Sequence, residues 1–248
     1  MDEIMFRKGV LKKMFFIISI LLFVIIKIAI YFLPLLSMHP TGTGEIETGI
    51  YAISNKRNDF YLISSNDGYI AIDAGSDIDA IIKSLTELKI DPLEIKYVLL
   101  THSDNDHVAA LVLFSNARIY MNSSELPLLN GAVRRSFFNN NALPDGIDLS
   151  DLLLFDDGDK LDIGGHIVEC ISVPGHTAGS TMFLVDNCYL FTGDVFRVNS
   201  DGTMFIHPYS MDRDDAQNSL KLISDILKRC SYVFTAHYGY YSSKLILK

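Results

Sequence analysis

Residues 14–36 read MFFIISILLFVIIKIAIYFLPLL, 23 positions holding one charge, Lys27, and one proline, Pro34. At 1.5 Å rise per residue, a helix of that length covers a hydrocarbon layer of about 30 Å. Arg7, Lys8, Lys12 and Lys13 precede the run, and the next basic residue after it is Lys56. The preference of basic residues for the cytoplasmic flank puts residues 1–13 in the cytoplasm and everything beyond residue 36 outside. Lys27, near the centre, carries an insertion penalty of about 2.5 to 3.5 kcal/mol, which the surrounding Ile, Leu and Phe side chains offset. A cleaved signal peptide is the alternative, since residues 14–26 would serve as its apolar region. Against it, neither an A-x-A-like cleavage site nor a nearby cysteine for lipid attachment follows. The expected organisation is a cytoplasmic tail at 1–13, a single-pass membrane anchor at 14–36, a linker at 37–43 and an extracytoplasmic domain at 44–248. Cleavage would instead give a secreted form.

Setting the first 37 residues aside changes the charge balance. They hold five of the 21 basic and two of the 30 acidic side chains, so the remainder carries a net charge of −12. Such a domain repels nucleic acid and anionic lipid headgroups, which directs attention to a small-molecule substrate. Cys170, Cys188 and Cys230 are odd in number, widely spaced and set beside apolar runs, as expected of buried core thiols. The oligomeric state is left open.

After the linker, short apolar or alternating runs punctuated by Asn, Asp and Gly read as strands: IYAIS, DFYLISS and YIAIDAG. Ser76 is a plausible N-cap for a helix carrying Ile78, Ile81, Ile82, Leu85 and Leu88 on one face. A strand at 95–100 comes next, and VAALVLF looks like the opening of a second helix. Residues 131–149 carry no clear period and read either as a surface connection or as a substrate-facing lid. A second strand-rich half runs through LLLFDD, KLDIGG, HIVECISVPG, STMFLVDN and CYLFTGD. It ends in a helix at about 214–229 and a last strand, YVFTA. Strands then helices, twice over, predict an α+β fold: a four-layer αβ/βα sandwich with two sheets face to face and helices outside.

Metal-capable side chains gather just past the strand ends: His102, Asp104, Asp106 and His107 in THSDNDH, His176 in VPGHTAGS, Asp194 in LFTGDVF and His237 in FTAHYG. Residues two apart in an extended loop point the same way, so His102 and Asp104 can serve one ion. The turn at Asn105 then directs Asp106 and His107 to another. Asp194 has two carboxylate oxygens and can bridge two cations. One histidine alone is more often structural; seven N/O donors in four strand-end motifs read as a metal site. His39 and His166 are expected to be structural, while His207 in FIHPYS is the less certain of the remaining histidines.

HSDNDH followed by PGHTAGS, TGD and AHYG resembles the signature of the metallo-β-lactamase-fold superfamily, HxHxDH and then His, Asp and His in that order. IDAG at 72–75 is similar to that family's early Asp-containing strand end. The resemblance spans residues 44–240. It implies that His102 and His176 belong to a first metal site, that Asp106, His107 and His237 belong to a second, and that Asp194 bridges them. Asp104 departs from the signature, standing where the second histidine belongs. A carboxylate there exchanges a neutral nitrogen donor for a harder anionic oxygen and moves preference from zinc toward manganese or iron. The flavodiiron branch is similar in having a carboxylate at this place, although its flavin domain is missing here.

The expected activity is that of a membrane-anchored, metal-dependent hydrolase with two divalent ions, zinc first and iron or manganese as alternatives. Water acidified by the ions would attack a carbonyl or ester carbon, with Asp106 orienting the nucleophile or taking its proton. PGHTAGS most resembles the glyoxalase II-like and lactonase-like members, which implies a small ester, thioester or lactone, with a lactam less favoured. Two rivals stay open: an iron-dependent redox enzyme of the same fold, and a catalytically inactive binding ectodomain.

Overall fold

The computed structural model describes residues 2–136, 140–199 and 201–247, with the side chains of residues 2–10 and 31 set aside. The chain divides into two units, one ending at Met38 and one beginning at His39. In the first, helix α1 (Asp2–Phe32) runs into a 3-10 turn at Leu33–Ser37. Pro34 lies in the first turn of that segment, where a missing N–H is tolerated but a regular α-helical bond is lost. Leu11–Ser37 is long and apolar enough to cross a membrane. Phe15, Phe16, Ile25 and Ile30 are among its exposed side chains, so its apolar surface is not confined to one stripe.

The second unit is a four-layer α+β sandwich. Its first sheet holds β1 (Gly44–Glu47), β2 (Ile50–Asn55), β3 (Asn58–Ser65), β4 (Gly68–Ile72), β5 (Ile95–Leu100), β6 (Arg118–Asn122) and β7 (Leu152–Phe155), neighbours in that order. Pairing is antiparallel up to β4 and parallel from β4 to β7. The chain then forms β8 (Lys160–Ile163), β9 (His166–Ser172), β10 (Thr181–Val185) and β11 (Tyr189–Phe191), a separate ribbon of β12 (Phe196–Val198) and β13 (Met204–Ile206), and finally β14 (Tyr232–Phe234) and β15 (Tyr240–Ser242). The second sheet has the order β15-β14-β11-β10-β9-β8, with β11 and β14 parallel.

Alternation along the strands builds three packed layers. In β5, Tyr97 and Leu99 face the other sheet while Val98 and Leu100 face outward; in β10, Phe183 and Val185 face inward and Met182 and Leu184 outward. Ile63, Ile70 and Ile72 meet Cys170, Phe183 and Phe234 between the sheets. On the outside, α2 (Ile78–Leu88) lays Ile81 and Leu85 over the first sheet. The short turns α3 (Asn105–Val108) and α4 (Leu126–Leu129) come next, and α5 (Arg213–Leu227) covers the second sheet with Ile223 and Leu227. Cys170 and Cys230 are buried free thiols and Cys188 is a half-buried one. Burial pushes Cys170 up to about 12 and Cys230 to about 11.

Local details depart from the sequence expectation. The N-cap of α2 is Asp77, whose carboxylate accepts from Ala80 N at 3.0 Å, rather than Ser76. VAALVLF does not open an α-helix: after the single turn α3, Ala109–Leu113 is 3-10. The cause is hydrogen bonding to the end of β4. The carbonyl of His107 accepts from Ala74 N and Ala110 N donates to Gly75 O, so neither group is left for an i to i−4 bond. Strands β1, β6, β12, β13 and β15 were outside the expected set.

Candidate metal centre

Parallel strands β4 and β5 end side by side, and a side-chain network fixes the loops beyond them. Asp73, just past β4, accepts Thr101 N at 2.8 Å, and its carboxylate also receives the Thr101 hydroxyl. Its other oxygen lies 2.8 Å from His107 Nδ1. Asp73 therefore accepts the Nδ1–H of His107 and aims its Nε2 inward. His102 Nδ1 lies 3.0 Å from Thr101 Oγ1, whose proton is directed to Asp73, so this ring is oriented in the same sense. At the end of β14, His237 Nδ1 donates to Arg57 O at 2.8 Å, again presenting Nε2.

Two glycines let the remaining loops close in. Gly193 has φ 51°, and a Cβ there would lie 2.4 Å from Thr101 Oγ1, so only glycine allows the Asp194 loop to rest on the Thr101 segment. Gly175 has φ 136°, and its Cβ would lie 2.3 Å from Ala216 N in the first turn of α5. Asp212 N and Met211 N donate to Gly175 O and His176 O, which ties the His176 loop to the start of α5. Glu125 is fully buried and accepts from Ser103 N and Gly179 N, both at 2.9 Å, and from the Ser103 hydroxyl. One carboxylate thus joins the His102 and His176 loops.

These segments bring the sequence-predicted side chains together around Asp194. Its carboxylate lies 3.2 Å from His237 Nε2, 3.6 Å from both His107 Nε2 and His176 Nε2, and 3.7 Å from His207 Nε2. Asp106, the half-exposed member, is 3.5 Å from His237 Nε2 and 3.8 Å from His107 Nε2. Three donor triads form: His102, His176 and Asp194; Asp106, His107 and His237; Asp194, His207 and His237. Sequence reasoning left His207 unassigned because it lies outside the four motifs, just after β13.

Among the described residues Asp104 is a member of none of these triads, although its Oδ2 lies 3.6 Å from His102 Nε2. Its carboxylate takes Arg135 Nε at 2.7 and 3.0 Å and Arg135 Nη2 at 2.9 Å, and it also accepts from Asn141 Nδ2 at 3.0 Å. Arg135 Nη2 reaches Tyr209 O at 3.0 Å and lies 3.1 Å from His176 Nε2, which is itself 3.0 Å from Asp104. Arg135 and Asn141 come from the irregular 131–149 segment, which therefore faces the site; its residues 137–139 lie outside those described. Neither partner of Asp104 carries a local sequence signal, since the contacts cross more than thirty residues without periodicity.

The electrostatics follow from burial and from the carboxylates. Burial opposes the charge of His107 and His237, yet the neighbouring carboxylates outweigh it. Asp73 leads in raising His107 well above the usual imidazole range, and Asp194 leads in raising His237 to about 9. Burial lowers His176 and holds His207 well below that range. Asp194 is kept well below the carboxylate range because His237, His207 and His107 outweigh its desolvation. The chemistry of the donor set fits divalent cations. His102 Nε2, His107 Nε2, Asp194 Oδ1, His176 Nδ1 and both nitrogens of His207 are buried without a hydrogen-bond partner. Buried polar atoms are otherwise almost always satisfied.

The chain is similar to known proteins in sequence and in fold. Residues 57–237 match the family model described as the metallo-beta-lactamase superfamily. The chain is 30% identical over 182 residues to the probable polyketide biosynthesis zinc-dependent hydrolase BaeB of Bacillus velezensis, covering 71% of each. It is 34% identical over 111 residues to a hydroxyacylglutathione hydrolase of Pseudomonas putida, covering 44% of this chain and 36% of that one. In fold it is similar to an archaeal metallo-beta-lactamase superfamily protein from Sulfolobus tokodaii, with TM-score 0.59, 22% identity, and 80% and 83% of the two chains covered.

Proposed function

Since the chain belongs to the metallo-β-lactamase superfamily, we propose that its His/Asp cluster is the divalent-metal centre of a hydrolase tethered to a membrane by residues 14–36. The supporting observation is the set of buried, partnerless Nε2 atoms of His102 and His107 and the partnerless Oδ1 of Asp194 between them. His102, His176 and Asp194 would hold one ion, and Asp106, His107, His237 and Asp194 a second. Bound divalent ions supply Lewis acidity toward a carbonyl oxygen and lower the pKa of a water. Zinc is the favoured metal, because imidazole dominates a donor set from which Arg135 withdraws the carboxylate of Asp104.

The protein's own groups do the rest. Asp73, Thr101 and the Arg57 carbonyl fix three imidazole tautomers before substrate arrives, so no reorganisation is needed at the reacting centre. Asp106 has the most exposed carboxylate of the set, placed to orient the attacking water and accept its proton. The Asp104–Arg135 pair is nearly isocharged with a histidine, so the wall beside His176 gains no net negative charge. A small ester, thioester or lactone is the proposed substrate class, in keeping with the hydroxyacylglutathione hydrolase relative. The net charge of −12 beyond residue 37 disfavours nucleic acid. The positive flank before residue 14 supports an extracytoplasmic orientation of the domain.

The test is elemental analysis of the full chain purified in detergent, with turnover measured on a panel of esters, thioesters and lactones. Chelation is expected to abolish hydrolysis and added zinc to restore it. A metal-loaded protein inert across the panel overturns the hydrolase reading, and a protein that retains no divalent ion overturns the metal centre itself.

A further inference from the structure

Resting on that metal centre, we infer that His207 is a metal ligand of this chain, joining Asp194 and His237 at the second ion, while Asp104, held in a pair with Arg135, contributes no donor. His207 is 1% exposed, and among the described residues it is the only one with two ring nitrogens both buried and unpartnered. An imidazole that merely packs normally directs at least one nitrogen to a carbonyl, hydroxyl or water. Here the ring instead lies parallel to His237, with centroids 5.8 Å apart and 21° between planes, and meets His176 edge-on at 4.8 Å.

The distances suit a shared ion. Metal–donor bonds of about 2.0 to 2.2 Å in a tetrahedron set donor atoms about 3.3 to 3.6 Å apart. Asp194 Oδ2 lies 3.2 Å from His237 Nε2 and 3.7 Å from His207 Nε2. The donor atoms of Asp194, His207 and His237 all lie within 4.8 Å of one another. Asp104 meets the distance condition, 3.0 Å from His176 Nε2 and 3.6 Å from His102 Nε2, and is excluded on a chemical ground. Both its oxygens already accept from a guanidinium, and a cation approaching them would have to displace Arg135.

The backbone around His207 is built to hold the ring still. Pro208 comes directly after it, restricting residue 207 to extended conformations, and the His207 carbonyl accepts from Ser210 N at 3.2 Å and Ser210 Oγ at 2.8 Å. Pro208 and Ser210 thus fix the backbone on the C-terminal side of the residue while its side chain is left without a hydrogen bond. This is the arrangement expected of a ligand whose partner is an ion.

The experiment measures zinc affinity of the full chain in detergent by competition with a chromophoric chelator, with the visible spectrum of the cobalt form as a second readout. His207→Phe is expected to weaken one zinc by a hundredfold or more, change the cobalt bands and shrink the zinc-induced rise in Tm. The Tm of the metal-free protein should stay level or rise. Asp104→Asn combined with Arg135→Gln, which removes the pair without leaving a net charge, is expected to change zinc affinity less than fivefold. His207→Gln, closer in polarity, gives the same affinity readout should the phenylalanine disturb packing. Unchanged zinc affinity in both His207 variants, or a hundredfold loss in the paired variant, overturns the inference while leaving the metal centre standing. A wild-type chain that binds no zinc overturns both.

Discussion

Asp104 occupies a signature position with its carboxylate engaged by a guanidinium. Its carboxylate and the Arg135 guanidinium are both largely shielded from water, 18% and 10% exposed, so each is the other's main charge partner, with Asn141 and the Tyr209 carbonyl completing the network. Arg135→Ala strands a carboxylate and is expected to lower unfolding free energy by about 3 kcal/mol, read from denaturant titration of the metal-free protein. Arg135→Lys keeps the charge but loses the fork, and should fall between wild type and alanine. Asp73→Ala releases His107 Nδ1 and the Thr101 contacts together. It is expected to weaken zinc binding about ten- to a hundredfold, measured by chelator competition. The histidines and aspartates at strand ends were legible because their motifs carry them as contiguous strings. The Arg135 partner was not, because nothing in GAVRRSFF distinguishes a buried guanidinium from a solvated one. His207 was half legible: its loop was the right one, but only three-dimensional proximity to Asp194 marks it as a donor.

Elements were readable where burial imposed a period and unreadable where one partner contact set the geometry. β4, β5 and β10 announce themselves by apolar runs buried on both faces, and α5 by its stripe of Ile223 and Leu227. Three-residue strands such as β12, β13 and β15 are too short to show a period at all. Segment 109–113 has the composition of a helix, but the bonds of His107 and Ala110 to Ala74 and Gly75, just past β4, decide otherwise. The start of α5 couples structure to site. Asp212 caps it by accepting from Asp214 N and Asp215 N, both at 2.9 Å, while its own N–H holds Gly175 O. Asp212→Ala should therefore cost about 1 kcal/mol of stability, seen as a lower denaturation midpoint. Gly175→Ala combines an unfavourable φ of 136° with a clash against Ala216 N. It is expected to lower stability and zinc affinity together, since His176 moves with the turn.

Across the molecule, layers, charge and pH response are linked through residues that connect the two sheets to the N-terminal segment of the domain. Asp59 lies on β3 with its side chain directed at residues 41 and 42, accepting from Thr41 N at 2.5 Å and from Gly42 N at 3.3 to 3.4 Å. It is 1% exposed, and burial pushes its carboxyl up from 3.8 to about 6 against the lowering effect of those two backbone donors. A folded-state pKa above the unfolded one means that the folded protein binds the proton more tightly. The associated stability is therefore fully present below about pH 4, is lost as pH rises through about 6, and is absent above that. A gap of roughly two pKa units corresponds to about 3 kcal/mol. Asp59→Asn keeps a neutral acceptor at the same place and has no proton to lose. Subtracting the variant's stability from that of wild type at each pH isolates this group from the other carboxylates. The difference should fall by about 3 kcal/mol between pH 3 and pH 7. A flat difference would mean that Asp59 is ionised throughout, with the Thr41 and Gly42 donors outweighing its burial.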